Sequence, residues 1–417
     1  MASEIGERMA IIVQKYGGSS VADVDKIRNV ARRAIKAKEK GNNVVVVVSA
    51  MGKTTDGLIA LARQVTDHPD VRELDVLLST GELVSSTLLA MALKSMGHDA
   101  VSLSGAQAGI MTDAVYTKAR IIDIEVKRMK KELKANKIVI VAGFQGITSE
   151  DDVTTLGRGG SDTTAVALAI ALKADICETY TDVDGVYTAD PRIVPEARKV
   201  KELGYEEMME LASSGAKVLH LRCVELGEMY DMPILVASSF TDAPGSLIHG
   251  GMEMETRAKV RGIALDQNVA KVTILGVPDK PGIASTVFDA LAKANVSVDT
   301  IVQNASVERI TDLTFTVAKS DLDQAIRVVE PVVKSIGAKG CVADSKLGKV
   351  SIIGIGMQNT PGYAAKMFRA LYDAGINIEL ITTSEIRITC IIHEDKAKEA
   401  VKALHRAFEL DKGQDVV

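Results

Sequence analysis

Tryptophan is absent from this chain, and aromatic side chains make up only 3% of its 417 residues. With 47% hydrophobic residues, the cores must be aliphatic. Cysteine is scarce too. Cys177, Cys223, Cys341 and Cys390 are far apart and none forms a C-x-x-C. That argues against a disulfide framework and predicts buried thiols in a reducing compartment. The six histidines show no metal-ligand spacing, so no metal site is expected. Nor is one sign of charge in excess. A net charge of −5 is too weak to imply a nucleic-acid or anionic-membrane surface, and no basic cluster carries interleaved aromatics. The opening MASEIGERMA lacks the apolar core of a signal peptide, and no apolar run approaches a membrane span. These absences predict a cytoplasmic protein of two or three domains, without nucleic-acid or membrane partners.

What is present is a series of strand-to-helix junctions rich in glycine. Residues 15–21, KYGGSSV, close an apolar stretch and open an amphipathic one over 22–40. The junction suits an anion, since glycines admit a phosphate and helix N–H groups point at it. It also suits a plain turn with a Ser N-cap. Residues 43–49, NVVVVVS, have no alternation and read as a strand buried on both faces. Gly52-Lys53-Thr54 follows, but a Walker A motif needs glycine where Val47 stands, which excludes a P-loop. Ser49 and Thr55 flank that strand's carboxyl end, where open α/β sheets bind ligands.

Residues 72–93 form a helical pattern interrupted at Ser79-Thr80-Gly81-Glu82. Glu82 is either a solvated helix-start carboxylate or a partner for a substrate ammonium. Strands are expected at 100–103 and 138–142, with a basic helix over 121–133. Residues 154–164, TTLGRGGSDTT, precede an alanine-rich helix over 165–173. Arg158 can fork onto a carboxylate or phosphate, and Ser161 or Asp162 can cap the helix. A strand over 175–181 runs into residues 182–192, which read as a hairpin with two turns or as a nucleotide site; EF-hand spacing fails. Helices are expected over 205–212 and 216–229, with Lys217 in a first turn that disfavours a cation unless a phosphate is near, and a last strand over 234–238. Strand–helix alternation of this kind predicts a mostly parallel sheet covered on both faces.

After a linker the sequence repeats itself. Residues 271–304 align with 349–384, pairing Gly276 with Gly354, Pro281-Gly282 with Pro361-Gly362, and Phe288 with Phe368. Each copy reads as a ferredoxin-like βαββαβ unit. The second is short at its end, where only residues 414–417 could form a strand, so it may borrow residues 260–265. The expected boundaries are 1–250, a linker over 251–263, 264–345 and 346–417.

Taken in order, KYGGSSV, the GRGGSD of residues 157–162 and the TDVDGVY of residues 181–187 resemble aspartate kinase, in its short monofunctional class with two C-terminal ACT domains. Tyr16 and Ser19 are mild departures from its commoner residues. The resemblance implies the amino-acid-kinase fold, an eight-stranded, largely parallel αβα sandwich. It implies transfer of the γ-phosphoryl group of MgATP to the side-chain carboxylate of L-aspartate, giving 4-phospho-L-aspartate for lysine, threonine, methionine and diaminopimelate synthesis. By motif, Lys15, Asp162 and Lys217 would serve catalysis, with Lys15, Gly17 and Gly18 on the transferred phosphate. Tyr16, Thr181, Asp182, Tyr187, Thr188, Ala189, Asp190, Pro191, Arg192 and Lys217 would complete the ATP site. Ser49, Thr55, Glu82, Arg158, Gly159, Gly160 and Ser161 would hold aspartate. The ACT pair implies feedback by lysine, threonine or both, at effector sites including Asp279, Ile283, Gln303, Asn304, Asn359, Asn377 and Ile378. A homodimer or an α2β2 complex is expected, with Met252 or Met254 as an internal start for a separate regulatory subunit. A fused homoserine dehydrogenase is not expected, since the sequence ends at Val417.

Overall fold

The structure is a computed structural model that describes residues 9–216, 218–250, 260–304, 309–357 and 360–412. Contacts divide it into two units. The first runs to Val186 and resumes at Lys199–Ala212 and at residues 218–250; the second takes Tyr187–Arg198, Ser213–Ala216 and the chain from residue 260 on.

The first unit is built on an eight-stranded sheet. Its spatial order is Glu202–Leu203, Ser246–Ile248, Ile234–Ser238, Ile176–Thr181, Ile11–Tyr16, Asn43–Val48, Ile138–Ala142 and Ala100–Leu103. Neighbours are parallel except Ile234–Ser238 against Ser246–Ile248. The valine run behaves as its lack of alternation predicts. Val44, Val46 and Val48 pack with Ile27, Val30, Leu89 and Leu93 of helices Val24–Glu39 and Val71–Ser95. Val45 and Val47 are equally buried on the other face, where helix Gly160–Leu172 lies against the central strands. The result is the αβα sandwich.

Several local expectations are corrected. The helix Val71–Ser95 is continuous through Ser79-Thr80-Gly81-Glu82. Ser79 and Thr80 donate their hydroxyls back to the carbonyls of Val76 and Leu77, so they do not break it. Gly81 is needed there, because a Cβ would lie 2.9 Å from the Ala50 side chain. By length and composition alone this helix could cross a membrane, since an 18-residue stretch of it has a mean hydropathy of 1.6, which the scattered Ser and Thr conceal in the sequence. It is instead an inner helix that buries Asp75 and Glu82.

Ile121–Ile124 is a strand, and the basic helix begins only at Lys127. That strand joins a four-stranded sheet with Ile110–Thr112, Gln145–Ile147 and Val153–Thr155, segments too short to show periodicity. The helix after the glycine loop starts at Gly160, with Gly159 as its N-cap at φ 74°, so neither Ser161 nor Asp162 caps it. The last helix of the unit begins at Leu221 rather than at 216; Lys217 lies outside the described residues.

The second unit is a six-stranded antiparallel sheet ordered Val298–Gln303, Ile310–Val317, Gly262–Pro278, Gly340–Ile353, Arg387–His393, Leu380–Thr383. Two long strands at its centre each serve both copies. Gly262 to Asp266 pair with Ile353 to Lys349, so the segment ahead of the first copy completes the second. Residues 414–417 lie outside the described residues. The first copy's core gathers Val272, Leu291, Phe315 and Val329; the second's gathers Val350, Leu371, Cys390 and Leu404.

The aligned lysines of the repeat pair crosswise. Lys271 Nζ lies 3.0 Å from Glu379, and Lys349 Nζ lies 2.7 Å from Asp299. The segment Tyr187–Arg198 packs on the second copy: Ala189 and Val194 join its core, and Thr188 Oγ1 lies 3.0 Å from the buried His405 Nε2.

Candidate functional site

Five parallel strands of the first unit end at one edge of the sheet, and the expected loops hang from those ends. Gly17-Gly18 follows Tyr16, Ser49-Ala50 follows Val48, Gly143-Phe144 follows Ala142, Asp182 follows Thr181, and Ser239 follows Ser238. This is the edge where open α/β sheets place ligands, because loops there carry free backbone groups and helix N-termini.

Lys15 sits on the central strand, buried, with Nζ 2.5 Å from Asp162 in the first turn of helix Gly160–Leu172. Its Nζ would stand 3.6 Å from a Cβ placed on Gly17. Gly18 is closer still to its neighbours: a Cβ there would come 2.9 Å from the Ala50 carbonyl oxygen. The Gly18 carbonyl accepts from Gly52 N–H, which stitches the first two loops together. Ser161 lies over Gly143, where any Cβ would meet its side chain at 2.9 Å.

Glu82 approaches from the long helix. Its Oε1 accepts the Ala50 N–H at 3.0 Å, while its buried Oε2 has no partner. Burial raises its pKa to about 7, against the lowering effect of the Ala50 hydrogen bond. A half-satisfied buried carboxylate is costly in isolation and favours a cation placed against it. Ser85, one turn on, donates to the Ser49 carbonyl at 2.7 Å, holding the same loop.

Lys15, Gly17, Gly18, Ser49, Glu82, Ser161 and Asp162 therefore meet along one sheet edge. Tyr16 points away from it, fully buried and stacked on Tyr180 at 4.9 Å between ring centroids. Arg158 is exposed on the glycine loop, and Thr55 lies in the first turn of helix Thr54–Val65. The Thr181 hydroxyl donates to Asp182 at 3.0 Å. Tyr187 to Arg192 belong to the second unit, where Asp190 accepts from Arg192 and turns the chain at Pro191.

Of the expected effector residues, the register carries Asp279, Ile283, Gln303 and Asn304 to one end of the second sheet. Asn377 and Ile378 lie beside Glu379, the partner of Lys271. That is about eight strand residues, roughly 25 Å, from Asp279. One chain does not bring the two groups together, and Asn359, Met252 and Met254 lie outside the described residues.

His220 was not legible in the sequence. It stands against Gly159, where a Cβ would fall 2.1 Å from its ring. Burial lowers its pKa, opposed by the nearby Asp162 charge. Nothing in the local sequence signals this proximity, which only the loop's return creates. Cys177 and Cys223 are buried near Lys15 and Asp162, with thiol pKa values pushed up by burial. Cys341, expected to be buried, is only half-buried. Among the described residues no three His, Cys, Asp or Glu side chains cluster as a metal cage.

These features define an amino acid kinase that carries paired ACT modules. Residues 10–238 match the amino acid kinase family, and residues 272–331 and 350–408 match the ACT domain family. The aspartokinase of Mycolicibacterium smegmatis is 51% identical over 98% of both chains, and that of Corynebacterium glutamicum 50% over 98% of both. The crystal structure of E. coli aspartokinase III in complex with aspartate and ADP is 26% identical, covering 96% of this chain and 100% of that one at a TM-score of 0.81. A second structure of that enzyme, at 25% identity and a TM-score of 0.75 over 95% and 99% of the two chains, holds lysine and aspartate in a T-state. The chain belongs to the aspartokinase family.

Proposed function

We propose that this kinase transfers the γ-phosphoryl group of ATP to the side-chain carboxylate of L-aspartate, forming 4-phospho-L-aspartate. The observation that carries the reading is the Lys15–Asp162 pair set beside the unpartnered Glu82 oxygen on one sheet edge. An acceptor carboxylate is already ionised, so no strong general base is needed. Its oxygen forms a bond to the γ-phosphorus as the bond to the β-phosphate bridging oxygen breaks, and no proton moves. Lys15 then offsets negative charge that spreads over the transferred group, and Asp162 holds its ammonium in place. Gly17 and Gly18 let the backbone approach that group. Glu82 takes the α-ammonium of aspartate and Arg158 its α-carboxylate, with Ser49, Thr55, Gly159, Gly160 and Ser161 closing the pocket. By the resemblance, Thr181, Asp182, residues 187–192 and Lys217 would contact the nucleotide.

Mg²⁺ would arrive with ATP and supply positive charge to offset that of the phosphates. Asp162, already beside Lys15 at the phosphate end, is the carboxylate that would face that ion. The paired ACT copies would bind lysine, threonine or both. Because the two groups of effector residues stand roughly 25 Å apart on one sheet, complete sites would form between copies of the chain, as a homodimer or with a separate regulatory subunit. The cytoplasm is the proposed compartment, since a reducing medium suits the free Cys177, Cys223, Cys341 and Cys390. Hydroxylamine trapping of the acyl phosphate, with L-aspartate, L-glutamate and N-acetyl-L-glutamate as acceptors, tests the reading. Trapped product with aspartate alone is expected; preference for another acceptor sinks it.

A further inference from the structure

We propose that Asp75 is a positioning residue for the aspartate site, fixing Arg158 relative to Glu82; this rests on the reading of Arg158 and Glu82 above. Asp75 is fully buried on the same face of helix Val71–Ser95 as Glu82, two turns earlier, about 10 Å of helix rise. Three of the roughly four acceptor positions on its carboxylate are used. Oδ2 accepts the backbone N–H of Thr155 at 2.8 Å and of Thr117 at 2.9 Å, and Oδ1 accepts the Thr155 hydroxyl at 2.6 Å.

Thr155 ends the strand Val153–Thr155, three residues before Arg158. Thr117 lies in the neighbouring loop at φ 64°, and its carbonyl stands 2.9 Å from where a Cβ on Gly157 would be. Ala119 N–H closes the loop onto the Thr155 carbonyl. Arg222 clamps the same two segments from the other side, donating to the carbonyls of Leu156 at 2.7 Å and Ala119 at 3.2 Å. The base of the GRGGSD loop is thus gripped by one buried anion and one cation. The anion stands on the helix that also carries Glu82.

Burying a carboxylate is a poor way to gain stability, since its desolvation consumes most of the gain. What it does well is hold two N–H groups from separate segments at fixed distance, through charge-assisted bonds. The helix then acts as a ruler. Glu82 marks the ammonium end, and Asp75 sets, through Thr155, the distance to the guanidinium that meets the α-carboxylate. A misplacement of about 1 Å in such a pair weakens both contacts together.

Steady-state kinetics of the full chain test this through the split between the two substrates. Asp75→Asn, which keeps an acceptor for the Thr117 and Thr155 N–H groups but takes the charge from those bonds, is expected to raise KM for aspartate about tenfold with KM for ATP changed less than about twofold. Thr155→Val, which removes only the hydroxyl bond, should raise KM for aspartate about threefold, and Thr155→Ser should restore it. Loss of turnover or thermal stability with both KM values unchanged overturns the proposal. If Asp75→Asn does not fold, the Thr155 pair decides: an unchanged KM for aspartate in Thr155→Val refutes it. Arg158→Ala separates the layers. If it leaves KM for aspartate unaltered, the aspartate-site reading fails and this inference with it; if it raises KM while the Asp75 and Thr155 variants do not, only the inference fails.

Discussion

The two units handle buried charge in opposite ways. In the kinase unit Lys15, Asp75, Glu82 and Glu207 are buried, and of these Glu82 keeps an oxygen without a partner. In the second unit the buried charge is Lys349, and it pairs with Asp299 on the other copy of the repeat. A buried group with unused bonding capacity is a place for a ligand; one whose capacity is met by the fold is a fastener. The effector residues agree with this division, since Asp279, Gln303, Asn304 and Asn377 are exposed. On the proposed reading, the kinase residues Lys15, Asp162 and Glu82 meet within one chain, whereas the regulatory residues would need a second surface.

The sharpest test of that contrast is Lys15→Ala. It removes the buried cation at the phosphate end and should lower turnover by about 10²–10³-fold. The fold should survive, because an isolated Asp162 at the helix N-terminus is still favoured by the dipole. Effector binding to the second unit should be unaffected, measured by calorimetry with lysine and threonine. Turnover within about tenfold of the parent would break the assignment of Lys15.

Glu82 gives the next effect. Its folded-state pKa of about 7 means that half the carboxylate is protonated near neutrality in the free enzyme. KM for aspartate should therefore rise as pH falls below about 7, and Glu82→Gln should remove that limb while raising KM about 10–100-fold at pH 8. Stability moves the other way. A carboxyl whose pKa is raised on folding stabilises the fold while both states are protonated, and that contribution is lost as pH climbs from the ordinary carboxyl range through about 7. Chemical denaturation at pH 5 and pH 8 should show wild type losing roughly 1–3 kcal/mol that Glu82→Gln does not lose. A flat KM profile across pH 6–8 would return Glu82 to a purely structural role.

The legibility of the site follows the same division. KYGGSSV, GRGGSD and the valine run declare themselves because glycine, hydroxyl and charge crowd together at strand ends. Their joint order points to one family. The doubly covered sheet and the repeat were legible for similar reasons, one from absent alternation and the other from self-similarity. What stayed hidden was relational. Asp75 looks like any helix-face acid until Thr117 and Thr155 are seen to converge on it. His220 meets Gly159 only through tertiary return. The four-stranded sheet of residues 110–155 is made of strands three or four residues long, below the length at which a period can be counted. The helix of residues 71–95 looks broken in sequence because Ser and Thr are read there as turn residues, whereas their hydroxyls bond within the helix.

The smallest effect distinguishes the two crosswise ion pairs of the repeat. They occupy equivalent positions, yet the Lys349 side chain is 7% exposed and that of Lys271 20%. Removing Asp299 strands a buried ammonium, whereas removing Glu379 leaves Lys271 able to reach water. Asp299→Ala should therefore destabilise the second unit by about 1–3 kcal/mol and Glu379→Ala by less than about 1 kcal/mol, read from urea midpoints at pH 7.5. Equal costs would mean that the pairs act only as surface contacts, and the fastener reading of Lys349 would fall. A larger cost at Glu379 would point instead to its bond with the Asn377 amide, 3.3 Å away, and would tie the effector region directly to the joint between the two copies.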